Sequence, residues 1–184
     1  MSQHETLFGY GDLAARMAAL VGDADGAPDG ATVDEKQLVY VHVGQLYATG
    51  LPQLVSTILG SCVAVCLWDP IKGVGGLNHY LLPQRVENGV SSPRFGNVAI
   101  ERLIGAVSQL GGDPARLKAK IFGGASVIDA FSNERGSLGQ SNIELARQLL
   151  EASRIPVVAE DVGGTQGRKV MFRPADGSAW VRRI

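Results

Sequence analysis

The chain has 184 residues, 45% of them hydrophobic and 19% charged, enough for one ordinary domain with a real core. Lys plus Arg number 17 and Asp plus Glu 18, a balance that argues against a nucleic-acid module, which needs a basic surface to neutralise phosphates. No uninterrupted apolar run approaches the roughly 18 residues of a membrane span, and the start, MSQHETLFGYGD, lacks the basic-then-apolar pattern of a secretion signal, so a cytoplasmic protein without membrane insertion is expected.

Residues 1–36 read as an N-terminal extension: DLAARMAALVG suits a short helix, and DADGAPDGATVDE reads as a flexible acidic linker rich in Gly, Asp and Pro. The compact domain is expected over 37–184. From QLVYVHVGQLYATG to NHYLLP, β-branched and aromatic residues predict four or five strands. In RFGNVAIERLIGAVSQLGG, Phe95, Ala99, Leu103, Val107 and Leu110 recur at helical spacing, with Pro93 suited to the start and Gly111-Gly112 to the end. LKAKIFGGASV reads as a buried strand ending in a glycine turn. A second helix is expected from Ser141, which has capping-box spacing with Glu144. IPVVAEDVG, RKVMFRP and AWVRRI are the last strand candidates. Strands, then helices, then strands predict an α+β class, with helices packed on a layered mixed or antiparallel sheet.

Residues 58–83, ILGSCVAVCLWDPIKGVGGLNHYLLP, carry both cysteines, Cys62 and Cys66, and one of three histidines, His79. CVAVCLW alternates as a strand, DPIK is a turn and GVGGLNHYLL returns. If Trp68 and Gly73 close the hairpin, Cys62 lies directly across from His79 on one face, Ala64 opposes Leu77 and Cys66 opposes Gly75; a bulge at Gly75-Gly76 would shift that pairing. In an extended strand Cys62 and Cys66 are about 13 Å apart, beyond the roughly 7 Å a disulfide tolerates. His4, His42 and His79 are scattered, so no structural zinc is expected, and no cofactor.

A thiol beside an imidazole has a use. The thiolate is the nucleophile, a neighbouring imidazolium lowers the thiol pKa, and the ring can protonate a leaving amine. The backbone N–H groups of Gly60 and Ser61, just before Cys62, are placed to form an oxyanion hole. Cys66 reads as core packing. Arg94, Arg168 and Lys169 read as solvated charges, with attraction of an acidic partner surface as the alternative, and the glycines of GGASV and VGGTQGRK as tight turns that also suit a groove for another backbone, since neither matches a phosphate-binding loop.

STILGSCVAVCLWDPIKGVGGLNHYLLP strongly resembles the CheD family, the chemoreceptor glutamine deamidases of bacterial chemotaxis. The resemblance continues through RFGNVAIERLI, AKIFGGA and EDVGGTQGRKVMF and covers residues 37–184. It implies a cytoplasmic cysteine amidohydrolase, a protein-glutamine glutaminase, with a fold resembling the deamidase domain of cytotoxic necrotizing toxins. It also implies that Cys62 is the nucleophile, His79 the histidine and Ser56 the third catalytic position, with Thr57 as the alternative hydroxyl. The substrate implied is a glutamine on chemoreceptor cytoplasmic helices, with receptor methyl esters open to the same acyl chemistry. A CheC-type phosphatase is the implied partner. The competing readings are a non-catalytic binder and stimulator of that phosphatase, and a thiol peptidase.

Overall fold

The structure, a computed structural model, describes residues 38–84, 91–126, 132–133 and 136–184. The extension and linker expected over 1–36 lie outside the described residues.

Among the described residues, five strands precede the first helix: β1 (Leu38–Tyr40), β2 (Gln45–Thr49), β3 (Leu54–Leu59), β4 (Val63–Asp69) and β5 (Val74–His79). Helix α1 (Gly96–Gln109) follows, then a single 3₁₀ turn at Pro114–Arg116 and β6 (Lys118–Gly123). The two-residue strands β7 (Ser132–Asn133) and β8 (Gly136–Ser137) lead into α2 (Leu138–Ala152). Strands β9 (Val157–Val162), β10 (Arg168–Arg173) and β11 (Ser178–Arg183) complete the order. The α+β expectation holds. One sheet has the order β1-β3-β10-β11 and is antiparallel except for β1 with β3. The other has the order β2-β5-β4-β6-β9 and is antiparallel except for β6 with β9.

Alternation along β4 explains the layers. Every residue of β4 is buried, as expected for a central strand covered on both faces. Val63, Val65 and Leu67 join Ala99, Ile100, Leu103 and Val107 of α1 and Ile143, Ala146 and Leu150 of α2 in one core. Ala64, Cys66 and Trp68 join Val55, Leu59, Val170 and Phe172 of the four-stranded sheet in a second. The described domain is therefore layered as helices, five-stranded sheet, four-stranded sheet. Cys66 is fully buried in the second core, as expected.

Two details correct the sequence reading. Helix α2 begins one turn early: Ser137, not Ser141, is its N-cap, and its hydroxyl accepts from the Gln140 N–H at 3.2 Å. The β4–β5 hairpin is also set two residues away from the expected pairing. Asp69 pairs with Val74, Trp68 with Gly75 and Cys66 with Leu77, and an outer bridge joins Val63 to Tyr80. Its turn is Pro70 to Gly73, because the Asp69 side chain accepts the Ile71 and Lys72 N–H groups and its carbonyl accepts the Gly73 N–H. Gly73 adopts the positive φ of 70° that this turn needs.

Candidate active site

The two-residue displacement preserves faces, because side chains alternate with period two. His79 now stands across from Ala64 rather than Cys62, and Cys62 lies just beyond the Val63–Tyr80 bridge. Leu77, two residues before His79 on β5, belongs to the core between the sheets, and half-buried Cys62 packs against that core. Thiol and imidazole therefore still share the inter-sheet layer, in a diagonal relation. The Val63–Tyr80 rung between them is intact, and the ladder is interrupted one rung nearer the turn, where the Val65 N–H goes to the Asn78 side-chain oxygen at 2.9 Å.

Strand parity also decides which hydroxyl meets the imidazole. Val55 and Leu59 of β3 face the inter-sheet core, so Thr57 faces it too and Ser56 points the other way. Thr57 Oγ1 lies 2.8 Å from His79 Nδ1 and 2.7 Å from the Val41 carbonyl oxygen. A hydroxyl has one hydrogen, and Thr57 gives it to Val41, so it accepts from Nδ1–H. Nδ1 is thus the protonated nitrogen and Nε2 carries the lone pair. Nε2 is buried and has no hydrogen-bond partner among the described residues. Ser56 instead donates to the Val170 carbonyl at 3.0 Å, away from His79. Of the two hydroxyls expected near the site, the structure brings Thr57 to the histidine.

Burial sets the charge state of the pair. It lowers the His79 pKa from the usual value to about 4, a shift partly offset by the Val41 carbonyl. It also pushes the Cys62 thiol up, against the opposing pull of the residue's own backbone N–H on the sulfur. At neutral pH the resting pair is thus thiol and neutral imidazole. No imidazolium is therefore present at rest to lower the thiol pKa, contrary to the expectation, and the Nε2 lone pair is open to accept a proton.

The loop between β3 and β4 is held by its carbonyls. The Gly60 carbonyl accepts from the Ala125 N–H at 2.8 Å, and that of Cys62 from the Gly124 N–H at 2.7 Å. The Ser61 carbonyl accepts from Asn142 Nδ2 at 3.1 Å. In a trans peptide the N–H opposes the preceding C=O, so pinning the Gly60 and Ser61 carbonyls turns the Ser61 and Cys62 N–H groups the other way. Among the described residues no acceptor takes the N–H of Gly60 or Ser61, and that of Cys62 meets only its own sulfur. These free donors are what an oxyanion requires.

The glycine motifs find their place here. Gly123 and Gly124 have φ of 102° and 68°, and their strand end presents the amides that grip the loop. The Gly163-Gly164 turn closes on the same segment through Gly163 N–H to the Gly123 carbonyl and Ser126 N–H to the Gly164 carbonyl. The tight-turn reading holds for the backbone, and the same turns also support the loop that carries Cys62. Asn142 was missed altogether, since nothing in SNIELA marks a buried amide. Arg168 is not a solvated charge: it is 2% exposed and paired with Asp161 at 2.9 Å.

A family profile, CheD chemotactic sensory transduction, matches residues 81–183. The chain is 53% identical over 146 residues to the probable chemoreceptor glutamine deamidase CheD 1 of Anaeromyxobacter dehalogenans, covering 79% of this chain and 84% of that protein. It is 41% identical over 151 residues to the probable chemoreceptor glutamine deamidase CheD of Sulfurimonas denitrificans, covering 82% and 96%. Among solved structures, Bacillus licheniformis hypothetical protein YfiH aligns at 15% identity with a TM-score of 0.49, covering 82% of this chain and 68% of that one. Among the described residues no helix is long and apolar enough to cross a membrane. On the matched profile, and on relatives this similar over most of both chains, the protein belongs to the CheD family.

Proposed function

We propose that the chain is a protein-glutamine deamidase that converts glutamine side chains of chemoreceptors to glutamate. Cys62 serves as nucleophile, His79 as general base and acid, and Thr57 orients His79. The observation that carries this reading is the Val41–Thr57–His79 chain of hydrogen bonds, which leaves Nε2 as a buried, unpartnered base on the face that carries Cys62. The names of the relatives supply the substrate class.

The chemistry follows from the charge states. Nε2 accepts the Cys62 proton as sulfur attacks the glutamine carboxamide carbon, so no free thiolate has to persist in a buried site. The oxyanion is met by the outward N–H groups of Ser61 and Cys62, with Gly60 alongside. The imidazolium gives its proton to the departing nitrogen, releasing ammonia and leaving a thioester. Nε2 then takes a proton from water as its oxygen attacks the thioester, and returning that proton to sulfur frees glutamate and thiol. The balance is glutamine plus water to glutamate plus ammonia. A receptor methyl ester fits the same sequence, with methanol leaving in place of ammonia.

Three finer points belong to the proposal. The resemblance of the domain to the cytotoxic necrotizing toxin deamidases rests on the sequence motifs. Cytoplasmic location rests on the receptor domain that the chemistry must reach. A CheC-type phosphatase partner rests on the family resemblance, and copurification with such a phosphatase tests it. The enzyme reading is tested by incubating the protein with a chemoreceptor cytoplasmic domain. Ammonia release matched by one added negative charge per site supports it. Receptor fragments would mark a thiol peptidase, and unmodified receptor a non-catalytic binder.

A further inference from the structure

We propose that Asn142, on the second turn of α2, is a positioning residue that aims the Cys62 N–H at the oxyanion; this rests on the deamidase reading above. Asn142 is fully buried. Its Nδ2 donates to the Ser61 carbonyl at 3.1 Å and to the Leu81 carbonyl at 2.9 Å. These two carbonyls lie on the two chains that leave the β4–β5 hairpin beyond its last bridge, Val63–Tyr80. Where a further ladder rung would fall, a single side-chain amide spans the gap. The Ser61 carbonyl shares its peptide plane with the Cys62 N–H, so fixing one aims the other.

Asn142 is itself held. The Tyr80 hydroxyl, also fully buried, donates to the Asn142 carbonyl at 2.7 Å, tying α2 to the end of β5. Gly139, one turn earlier on the helix, packs on the Gly124 backbone so closely that a Cβ there would overlap the Gly124 carbonyl. The helix therefore sits against the same Gly123–Ala125 segment that grips the Gly60 and Cys62 carbonyls. Stability alone does not account for this amide. Its Oδ1 is buried with no partner among the described residues, a cost that an apolar core residue avoids. What the amide supplies is a two-pronged donor at the loop that carries the nucleophile.

The test compares two reactions of the same sulfur. Iodoacetamide alkylation needs the thiol and its base but no oxyanion donor; deamidation needs all three. In Asn142→Ala, kcat on the receptor domain is expected to fall about 10- to 100-fold, below the 10²–10³ of losing a whole donor. KM and the alkylation rate of Cys62 should stay within about threefold, the split expected when a transition-state interaction is lost. Asn142→Leu and Asn142→Asp, of nearly the same shape but lacking the amide donors, should show the same split. Unchanged kcat in a folded variant overturns the proposal, as does a parallel fall of alkylation and deamidation. Failure of all three variants to fold also overturns it, by placing the residue's role in the fold alone. Wild-type protein inactive on receptor glutamine removes the deamidase reading, and this inference with it. Active wild-type protein with fully active Asn142→Ala removes the inference alone.

Discussion

The two ends of the β4–β5 hairpin treat their buried polar atoms in opposite ways. At the turn end, the buried Asp69 carboxylate is fully answered. It accepts the Ile71, Lys72 and Asp113 N–H groups and meets the Arg116 guanidinium at 2.7 Å. Chiefly through Arg116, its carboxyl is held well below the usual carboxylate range despite burial. At the open end, His79 Nε2 and Asn142 Oδ1 are buried without partners among the described residues. Burial is costly for a polar atom unless it is bonded. Satisfied buried groups at one end mark a fold anchor. On the deamidase reading proposed above, the unpartnered Nε2 beside the thiol at the other is the group that awaits a substrate.

The sharpest break of this contrast pairs one substitution from each end. His79→Ala should lower kcat by about 10²–10⁴-fold, the usual contribution of a general base, and leave the unfolding midpoint at pH 8 nearly unchanged. Asp69→Ala leaves the Ile71, Lys72 and Asp113 N–H groups without their acceptor and should cost about 1–3 kcal/mol of stability, with kcat per folded molecule within about twofold. Thermal unfolding and steady-state kinetics on both variants check the pair; a swap of the two effects would erase the distinction.

Neighbouring hydroxyls sharpen it further. Thr57→Val removes the acceptor for Nδ1–H without changing shape, and should lower kcat roughly 10- to 100-fold, less than the loss of the base itself. Ser56→Ala faces the other way and should change kcat by less than about twofold. Equal losses in the two variants would contradict the parity argument.

Acid should act on the open end. The folded His79 pKa, about 4, lies below the roughly 6.5 of an unfolded histidine. Above pH 6.5 neither state holds the proton and this stability is complete. As pH falls from 6.5 toward 4 the unfolded chain binds a proton that the folded chain refuses, so stability is lost, by up to about 3 kcal/mol. His79→Ala should flatten that slope in urea unfolding measured from pH 7 to 4. The acid limb of kcat/KM should fall near pH 4, and a limb near 6.5 would show an unperturbed histidine.

The smallest effect is expected outside both ends. A chain beginning at Glu35 should deamidate within about twofold of the full chain. The Gly-Asp-Pro composition of the segment removed offers little apolar surface to bury. Lost activity in a folded truncated chain would give that segment a role in docking or closure.

The hairpin also shows what a sequence conveys. Turn formers and period-two alternation placed Cys62 and His79 on one face, and that conclusion survived a pairing two residues off, since only odd shifts change faces. The shift itself was hidden because it depends on the Asp69 side chain closing its own turn. Ser56 and Thr57 are adjacent hydroxyls whose faces become distinct only once β3 is set in its sheet. Asn142 and the Gly123–Ala125 grip come from segments some 60 to 80 residues along the chain from Cys62, and local pattern carries no sign of such contacts. The charge state of His79 was equally hidden, because it follows from burial between two sheets.

The central claim is that Cys62, with His79 and Thr57, deamidates receptor glutamine. Site-resolved tandem mass spectrometry of a chemoreceptor cytoplasmic domain, after incubation with wild-type protein or Cys62→Ala, tests it most directly. Replacing NH₂ by OH adds about one dalton, so the account predicts that gain at specific glutamines with wild-type protein and none with Cys62→Ala, whose nucleophile is gone. The same gain with Cys62→Ala, or none with folded wild-type protein, would contradict it.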